Sequence, residues 1–316
     1  MNSEIDPGFV DFLLSTSTIT QAPQNQMRAA GLTPGCYSMV ITDEIYHRQC
    51  IGASSSSLKK MLRSPAHYKA YKAAKDQDSP ARRFGRAVHA MCLEPQTFDE
   101  NFVVWRDGRR SGKSFGLFTA ESEGKTILSV EDYERVKQAV QALRDEVRFP
   151  MSTWLDGIGG STEFEEIPPA KAEFSIFWID EMTGIQCKAR VDAHAASPNP
   201  VAIDLKTTDD ARIHSFTAQF FKLDYDLQAA HYSAALKAYY GIDFAFLFAV
   251  VEAQSPFATN VFGLAPEVLE NGEAKRRYAL DTLKKCQDTD TWPAYAGTSV
   301  EGIEMPYYQA FQAPNS

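Results

Sequence analysis

No stretch of this 316-residue sequence is apolar for long enough to span a bilayer. Its opening, MNSEIDPGFVDFLL, is acidic where a secretory leader would carry a basic flank. These absences predict a cytoplasmic protein with no membrane partner. Cysteine is scarce. The five present, Cys36, Cys50, Cys92, Cys187 and Cys286, are scattered, odd in number and never paired as CxxC. That spacing excludes a zinc ribbon and a disulfide framework and favours reduced thiols. Positive charge is in deficit, 32 Lys and Arg against 41 Asp and Glu for a net charge of −9, which alone counts against a polyanionic partner. A nucleotide loop is missing as well, because GRRSGKSFG keeps only Gly112-Lys113-Ser114 of the GxxxxGK[ST] pattern. There is no internal repeat and no aromatic platform of the RRM or OB kind. Phe216, Phe220 and Phe221 read as helix core.

What is present argues for a folded chain. Hydrophobic residues make up 44% of it and prolines number only 16, enough apolar material to fill a sizeable core at this length. The basic charge is local. Nine Lys and Arg fall between Lys59 and Arg86 (Lys59, Lys60, Arg63, Lys69, Lys72, Lys75, Arg82, Arg83, Arg86) against two acids, Asp76 and Asp78. Arg106, Arg109, Arg110 and Lys113 follow. Solvated helix faces or a phosphate-binding path would both look like this.

Patterning divides the chain. Residues 1–39 mix Ser, Thr, Gln and Asn around one apolar patch and read as a weakly ordered arm. SSSSLKKMLRSPAHYKAYKAA opens on capping serines with Leu58, Met61 and Leu62 at helical spacing, and Pro65 interrupts or restarts the helix. A second helix is predicted from about Arg82 to Glu94, with Phe84, Val88, Met91 and Cys92 on one stripe. Residues 101–127 read as Gly- and charge-rich with short β-like pieces. SVEDYERVKQAVQALRDEV is an amphipathic helix. The period then changes to that of strands, at about 172–180, 185–193 and 200–206, joined by MTG and SPNP turns. One long helix is predicted from about Ser215 to Tyr240, followed by strands at DFAFLFAVVEA and FATNVFGLA and a last helix from about Pro266 to Asp288. The sum is a single mixed α/β domain over 40–297 with a tail at 298–316.

Within CKARVDAHAASPNPVAIDLKTT, Asp192 stands on one strand and Asp204 and Lys206 on the next. Residues i and i+2 of a strand share a face, so the acid and the amine emerge together. Two carboxylates converging there repel each other unless a cation lies between them, and Mg²⁺, with Mn²⁺ as a substitute, suits carboxylate and water ligands. Glu173 is a third acid within reach, and the Leu205 carbonyl can complete the shell. The bland reading is a surface ion pair. For His89, beside Val88 and Cys92, it is a buried imidazole satisfied by a backbone carbonyl.

The sequence Asp192…Asp204-Leu205-Lys206 followed by a helix resembles the motif core of the PD-(D/E)XK nuclease superfamily, whose fold is a restriction-endonuclease-like α/β core, a mixed central sheet flanked by helices. It is most similar to the RecB-like branch, in particular the exonuclease VIII (RecE) C-terminal nuclease domain and its phage relatives. YHRQCIGASSSSLKKMLRSPAHYKAY resembles that family's opening, FGRAVHAMCLEP its histidine helix, DLQAAHYSAAL its Q-x-x-x-Y helix and YALDTLKKCQDTDTWPAY its close. The likeness covers about residues 40–297. It implies His89, Asp192 and Asp204 around a metal, to which the strand reading adds Glu173 and Leu205, with His89, Asp192, Asp204 and Lys206 catalytic. It makes Gln228 and Tyr232 DNA contacts, and Lys59, Lys60, Arg82, Arg83 and Arg86 join them as phosphate contacts. The loose Pro-Asp of the superfamily is here Val191-Asp192. The implied activity is a Mg²⁺-dependent exodeoxyribonuclease acting from double-stranded DNA ends, 5′ to 3′, that leaves a 3′ single-stranded tail for recombination. A ring-like homo-oligomer and a single-strand annealing recombinase as partner are implied with it. The alternatives are a CRISPR-associated RecB-like or other repair nuclease, whose common cysteine-held iron–sulfur centre is absent here, and a non-catalytic DNA-binding recombination scaffold.

Overall fold

Serines start the first helices, because a hydroxyl accepts the backbone N–H groups that a helix N-terminus leaves open. In the computed structural model, which describes residues 19–21, 37–39, 46, 52–74, 79–146, 171–196 and 199–295, Ser54 and Ser57 cap each other reciprocally at the start of α1 (Ser55–Arg63). Ser64 closes α1 and opens α2 (Pro65–Ala73), whose first residue is the proline expected to restart the helix. Ser79 caps α3 (Pro80–Leu93), which begins two residues before Arg82 because Pro80 also occupies a first-turn position.

The segment 101–127 holds more than short strands. After α4 (Phe98–Asn101), β3 (Phe102–Trp105) pairs in parallel with β4 (Thr126–Ser129). Between them lies a helix not expected from the pattern, α5 (Lys113–Glu121). Gly116 at its centre and its small size hid it. Phe115 and Phe118, three apart, place their rings 5.3 and 4.9 Å from Trp105. Ser129 then caps α6 (Val130–Arg144).

The strands follow as predicted: β5 (Lys171–Ile179), β6 (Gln186–Ala195), β7 (Val201–Thr208), β8 (Ala245–Glu252) and β9 (Thr259–Gly263). With β1 (Ile19–Gln21) and β2 (Tyr37–Met39) they form a seven-stranded sheet ordered β1-β2-β5-β6-β7-β8-β9. Only β7 and β8 run parallel among its pairs, so the sheet is mixed. Parallel neighbours need a long crossover, and two helices supply it. The single helix expected over 215–240 is in fact α7 (Ile213–Lys222) and α8 (Tyr225–Tyr240). The break falls at Asp224, in the left-handed region at φ 50°, which Asp tolerates better than most residues. Lys275 of α9 (Pro266–Thr289) holds that corner, 2.7 Å from Asp224 Oδ1 and 3.1 Å from Asp226 Oδ1. No described helix is long and apolar enough to cross a membrane. Apart from β1 and β2, the expected arm (1–39) lies outside the described residues, as do the tail (298–316) and Ser197-Pro198 of the SPNP turn.

Two apolar layers cover the sheet. One joins Leu58 and Met61 of α1 to Leu227 and Leu236 of α8 and to Leu280 and Leu283 of α9. The other joins Phe84 and Val88 of α3 to Val136 and Leu143 of α6. α8 and α9 approach so closely that a Cβ on Gly272 would lie 2.1 Å from the Asp226 carbonyl oxygen. Gly272→Ala is therefore expected to destabilise the fold by about 1–3 kcal/mol, read as a fall in thermal midpoint.

Two histidines are locked neutral in the first layer. Burial, helped by Lys171, pushes His194 down to about 3, and burial with Arg276 nearby does the same to His231. His194 Nε2 lies 2.8 Å from the Tyr240 hydroxyl and His231 Nε2 3.1 Å from the Lys188 carbonyl. The unfolded chain takes up protons on both rings below about pH 6.5, whereas the folded chain resists until about pH 3. The contribution of these two rings to folding stability is thus complete above pH 7 and declines by about 1.4 kcal/mol per pH unit per ring as pH falls through this window. The difference in urea midpoint between the native protein and His194→Gln, taken at pH 7, 5.5 and 4, should shrink as pH falls.

Candidate active site

A regular β5–β6 ladder would hide its acids, so a fault in the pleat matters. Ala172 pairs with Ala193 and Phe174 with Val191, yet Glu173 and Asp192 between them form no pair. Glu173 has φ 46°. Phe174 and Val191 face the α8 layer, while Ala172 and Ala193 face the α3 layer. Two consecutive residues on each strand thus share the α3 side, and both carboxylates turn toward α3, where His89 waits. His89 Nδ1 is 3.5 Å from Asp192 Oδ2 and 4.0 Å from Glu173 Oε1. One ligand atom from each of the three lies within 4.8 Å of the others.

The neighbouring strand opens at the same level. β6 and β7 pair only over Ala193–Ala195 and Val201–Ile203. Beyond that, the Leu205 N–H donates to Asp192 Oδ2 at 2.8 Å, so a carboxylate stands where a strand carbonyl would otherwise be. The Leu205 carbonyl faces His89 Nε2 at 2.8 Å. That contact matches the bland expectation for His89, yet it also leaves Nδ1 pointing at two acids, as ligand histidines commonly are arranged.

Asp204 and Lys206 emerge on the other side of β7, as strand alternation requires. Asp204 is fully buried. Its Oδ2 is ion-paired with Lys206, and its Oδ1 accepts Gln228 Nε2 from α8 at 2.7 Å. Burial opposes the Lys206 charge, but Asp204 and Asp192 outweigh it and hold the ammonium well above its usual range. Asp204 is not among the three clustered ligands; its two oxygens face Lys206 and Gln228. It remains close enough to act on Asp192, whose carboxyl is pushed up to about 7 by burial and by Asp204, against the pull of His89 and Lys206. Burial works against a charge on His89, but Asp192 and Glu173 win and raise it to about 9. A partly buried cluster of one imidazole and two carboxylates, with a third carboxylate acting on it, is the setting of a divalent metal site.

Of the expected DNA contacts, Lys60 and Arg82 are exposed and Arg83 and Arg86 half-exposed. Gln228 and Lys59 instead turn into the site, with Lys59 Nζ 3.2 Å from Gln228 Oε1. Burial and the Lys206 charge lower Lys59 to about 7. Tyr232 bonds Ser55 and is held far above its usual range by burial and by Asp204 and Asp192. Two site residues were not singled out from sequence. Tyr225 presents its ring 4.8 Å from both Lys59 and Lys206; its place one turn before Gln228 was the signal. Arg190, two residues before Asp192 and so on the same face, lies 3.8 Å from Glu173 and 3.0 Å from the Ser175 hydroxyl. A groove of about 720 Å³ continues past Thr207 and Thr208, flanked by Arg83 and Lys222.

Residues 54–301 match the family described as PDDEXK-like domain of unknown function (DUF3799). The chain belongs to that family. Its PDDEXK-like fold is also seen in a crystal structure from Eubacterium rectale that bears the name "Putative exonuclease", with a TM-score of 0.53 at 13% identity over 80% of this chain and 89% of that one. No curated protein matches the sequence. The superfamily resemblance therefore holds, with the α/β core and mixed sheet it implied.

Glu173→Gln keeps the shape of the site and removes one ligand charge. It should weaken Mn²⁺ binding about tenfold or more, measured by calorimetry on the folded protein.

Proposed function

We propose that this protein is a metal-dependent exodeoxyribonuclease that digests linear double-stranded DNA, in the manner of the RecE-like enzymes its motifs resemble. The observation that carries this reading is the meeting, at the opened end of the β6–β7 pair, of His89, Glu173 and Asp192 from one face with Asp204 and Lys206 from the other. A PDDEXK-like fold around such a cluster supports hydrolysis of a phosphodiester. A scaffold without chemistry would have no use for two buried acids and a half-buried third that repel one another.

His89, Glu173 and Asp192 would hold the cation, with the Leu205 carbonyl and Asp204 at its border. Mg²⁺ fits the oxygen-rich set, with Mn²⁺ as the substitute. When bound, the cation supplies positive charge that acidifies a water and draws electrons from the phosphate. Lys206 contributes a fixed ammonium. Its carboxylate partners keep it protonated, so it orients the attacking water and neutralises charge that develops on the phosphoryl oxygens rather than acting as a base. Arg190 restrains Glu173. Lys60, Arg82, Arg83 and Arg86 offer contacts to the DNA backbone, which position a duplex without reading its sequence. The groove lined by Thr207 and Thr208 gives the strand a route past the site, and Tyr232, one turn after Gln228 on α8, is a strand contact by the family resemblance. Digestion from the 5′ terminus, a ring-like assembly of several copies, an annealing recombinase as partner, a cytoplasmic setting and a nuclease domain over 40–297 complete the reading. The cytoplasmic setting rests on the lack of a long apolar run and on the scattered cysteines; the others rest on the family resemblance.

The test is digestion of end-labelled linear duplex in millimolar Mg²⁺, beside EDTA and covalently closed circles. Linear DNA should be degraded from its 5′-labelled ends, circles should survive, and EDTA should stop the reaction. Lys206→Ala should lower kcat on the order of 10³-fold with DNA binding retained. A mutant as fast as the native protein would reject the assignment.

A further inference from the structure

Charge alone groups Lys59 with the residues that would line a phosphate path. Its surroundings separate it from them. Lys60 is exposed, whereas Lys59 turns inward from α1 and donates to Gln228 Oε1 at 3.2 Å. It shares the Tyr225 ring with Lys206, each nitrogen 4.8 Å from the centroid. At its other end the same Gln228 amide donates Nε2–H to Asp204 Oδ1 at 2.7 Å.

A carboxamide has one donor end and one acceptor end, and the partner on one side decides which end meets the other. In its protonated form the Lys59 amine can only donate. With Lys59 on Oε1, Nε2 must face Asp204. Without Lys59 the amide still turns Nε2 toward the carboxylate, which can only accept, but it loses its anchor at Oε1 and with it the restraint on where that bond holds Asp204. From this geometry we propose that Lys59 is a positioning residue which, through the Gln228 amide, fixes the orientation of the Asp204 carboxylate.

The arrangement has a use at the opposite oxygen. Asp204 Oδ2 is held by Lys206, which must be free to turn to a substrate. A carboxylate anchored at Oδ1 keeps its rotamer when that partner leaves. The catalytic consequence rests on the nuclease reading above, whereas the orientation of the amide does not.

Two measurements on full-length protein decide the matter, using Lys59→Met, Gln228→Leu and the double variant. The first needs no activity: solvent exchange of the Gln228 side-chain amide protons, whose NMR signal is identified by its loss in Gln228→Leu. Lys59→Met should speed that exchange about tenfold, the effect of releasing one charge-assisted hydrogen bond. Lys59→Arg, which keeps a donor, should restore protection. The second is kinetic. Lys59→Met should lower kcat on linear duplex about 10–100-fold while duplex affinity and its salt dependence stay unchanged, and the double variant should be no slower than Gln228→Leu alone. A simple phosphate contact would instead lower the salt slope by about one and multiply with the Gln228 defect. That result, or unaltered amide exchange in Lys59→Met, overturns the proposal. If native protein leaves DNA intact, the nuclease reading fails and the exchange measurement still decides the role of Lys59.

Discussion

A backbone N–H answered by a carboxylate decides where this site is. Asp192 accepts the Leu205 N–H at 2.8 Å, and because that position is filled by a side chain, β6 and β7 stop pairing there and diverge. The divergence gives the acids room, and the bond keeps Asp192 from swinging out toward water. An anion accepting a backbone N–H is held more firmly than a neutral acceptor would be. The same carboxylate also faces His89. One residue thus joins α3, β6 and β7, and every other group in the site is placed relative to it.

Around that anchor the protein keeps opposite charges in alternation. Glu173 is flanked by His89 and Arg190, Asp192 by His89, and Asp204 by Lys206 and an amide. Buried acids are tolerated in this way only when each has a partner. The compensation is incomplete at Asp192, whose carboxyl is pushed up first by burial and then by Asp204. A cation beside it would favour the charged carboxylate, so donor chemistry and electrostatics agree about the same spot.

Much of this was legible in the residues. The Asp204-x-Lys206 spacing predicted a shared face because strand alternation is a property of two adjacent residues, and the structure pairs the two side chains. His89 and Glu173 were placed beside Asp192, and they lie there. The sequence reads as one long helix over 215–240 because its apolar pattern continues through Leu223-Asp224; the left-handed backbone at Asp224, held by distant Lys275, divides it. α5 escaped because nine residues with a central glycine carry little periodic signal. Lys59 was grouped by charge with its neighbours, since nothing local says that α1 turns that one amine inward against α8. Contacts across 169 residues belong to the tertiary fold.

The fault in the β5–β6 pleat has a further consequence. Lys171 still pairs with His194 on one side of it and Ile176 with Ala189 on the other, in a single unbroken alignment. The two irregularities cancel, one on each strand. A one-residue insertion or deletion in either strand alone would leave the other uncompensated and send the residues beyond it to opposite faces. Length can therefore drift in the hairpin turn near Thr183, but inside these strands the spacing of Glu173 and Asp192 from the flanking core residues is inherited as a matched pair or lost.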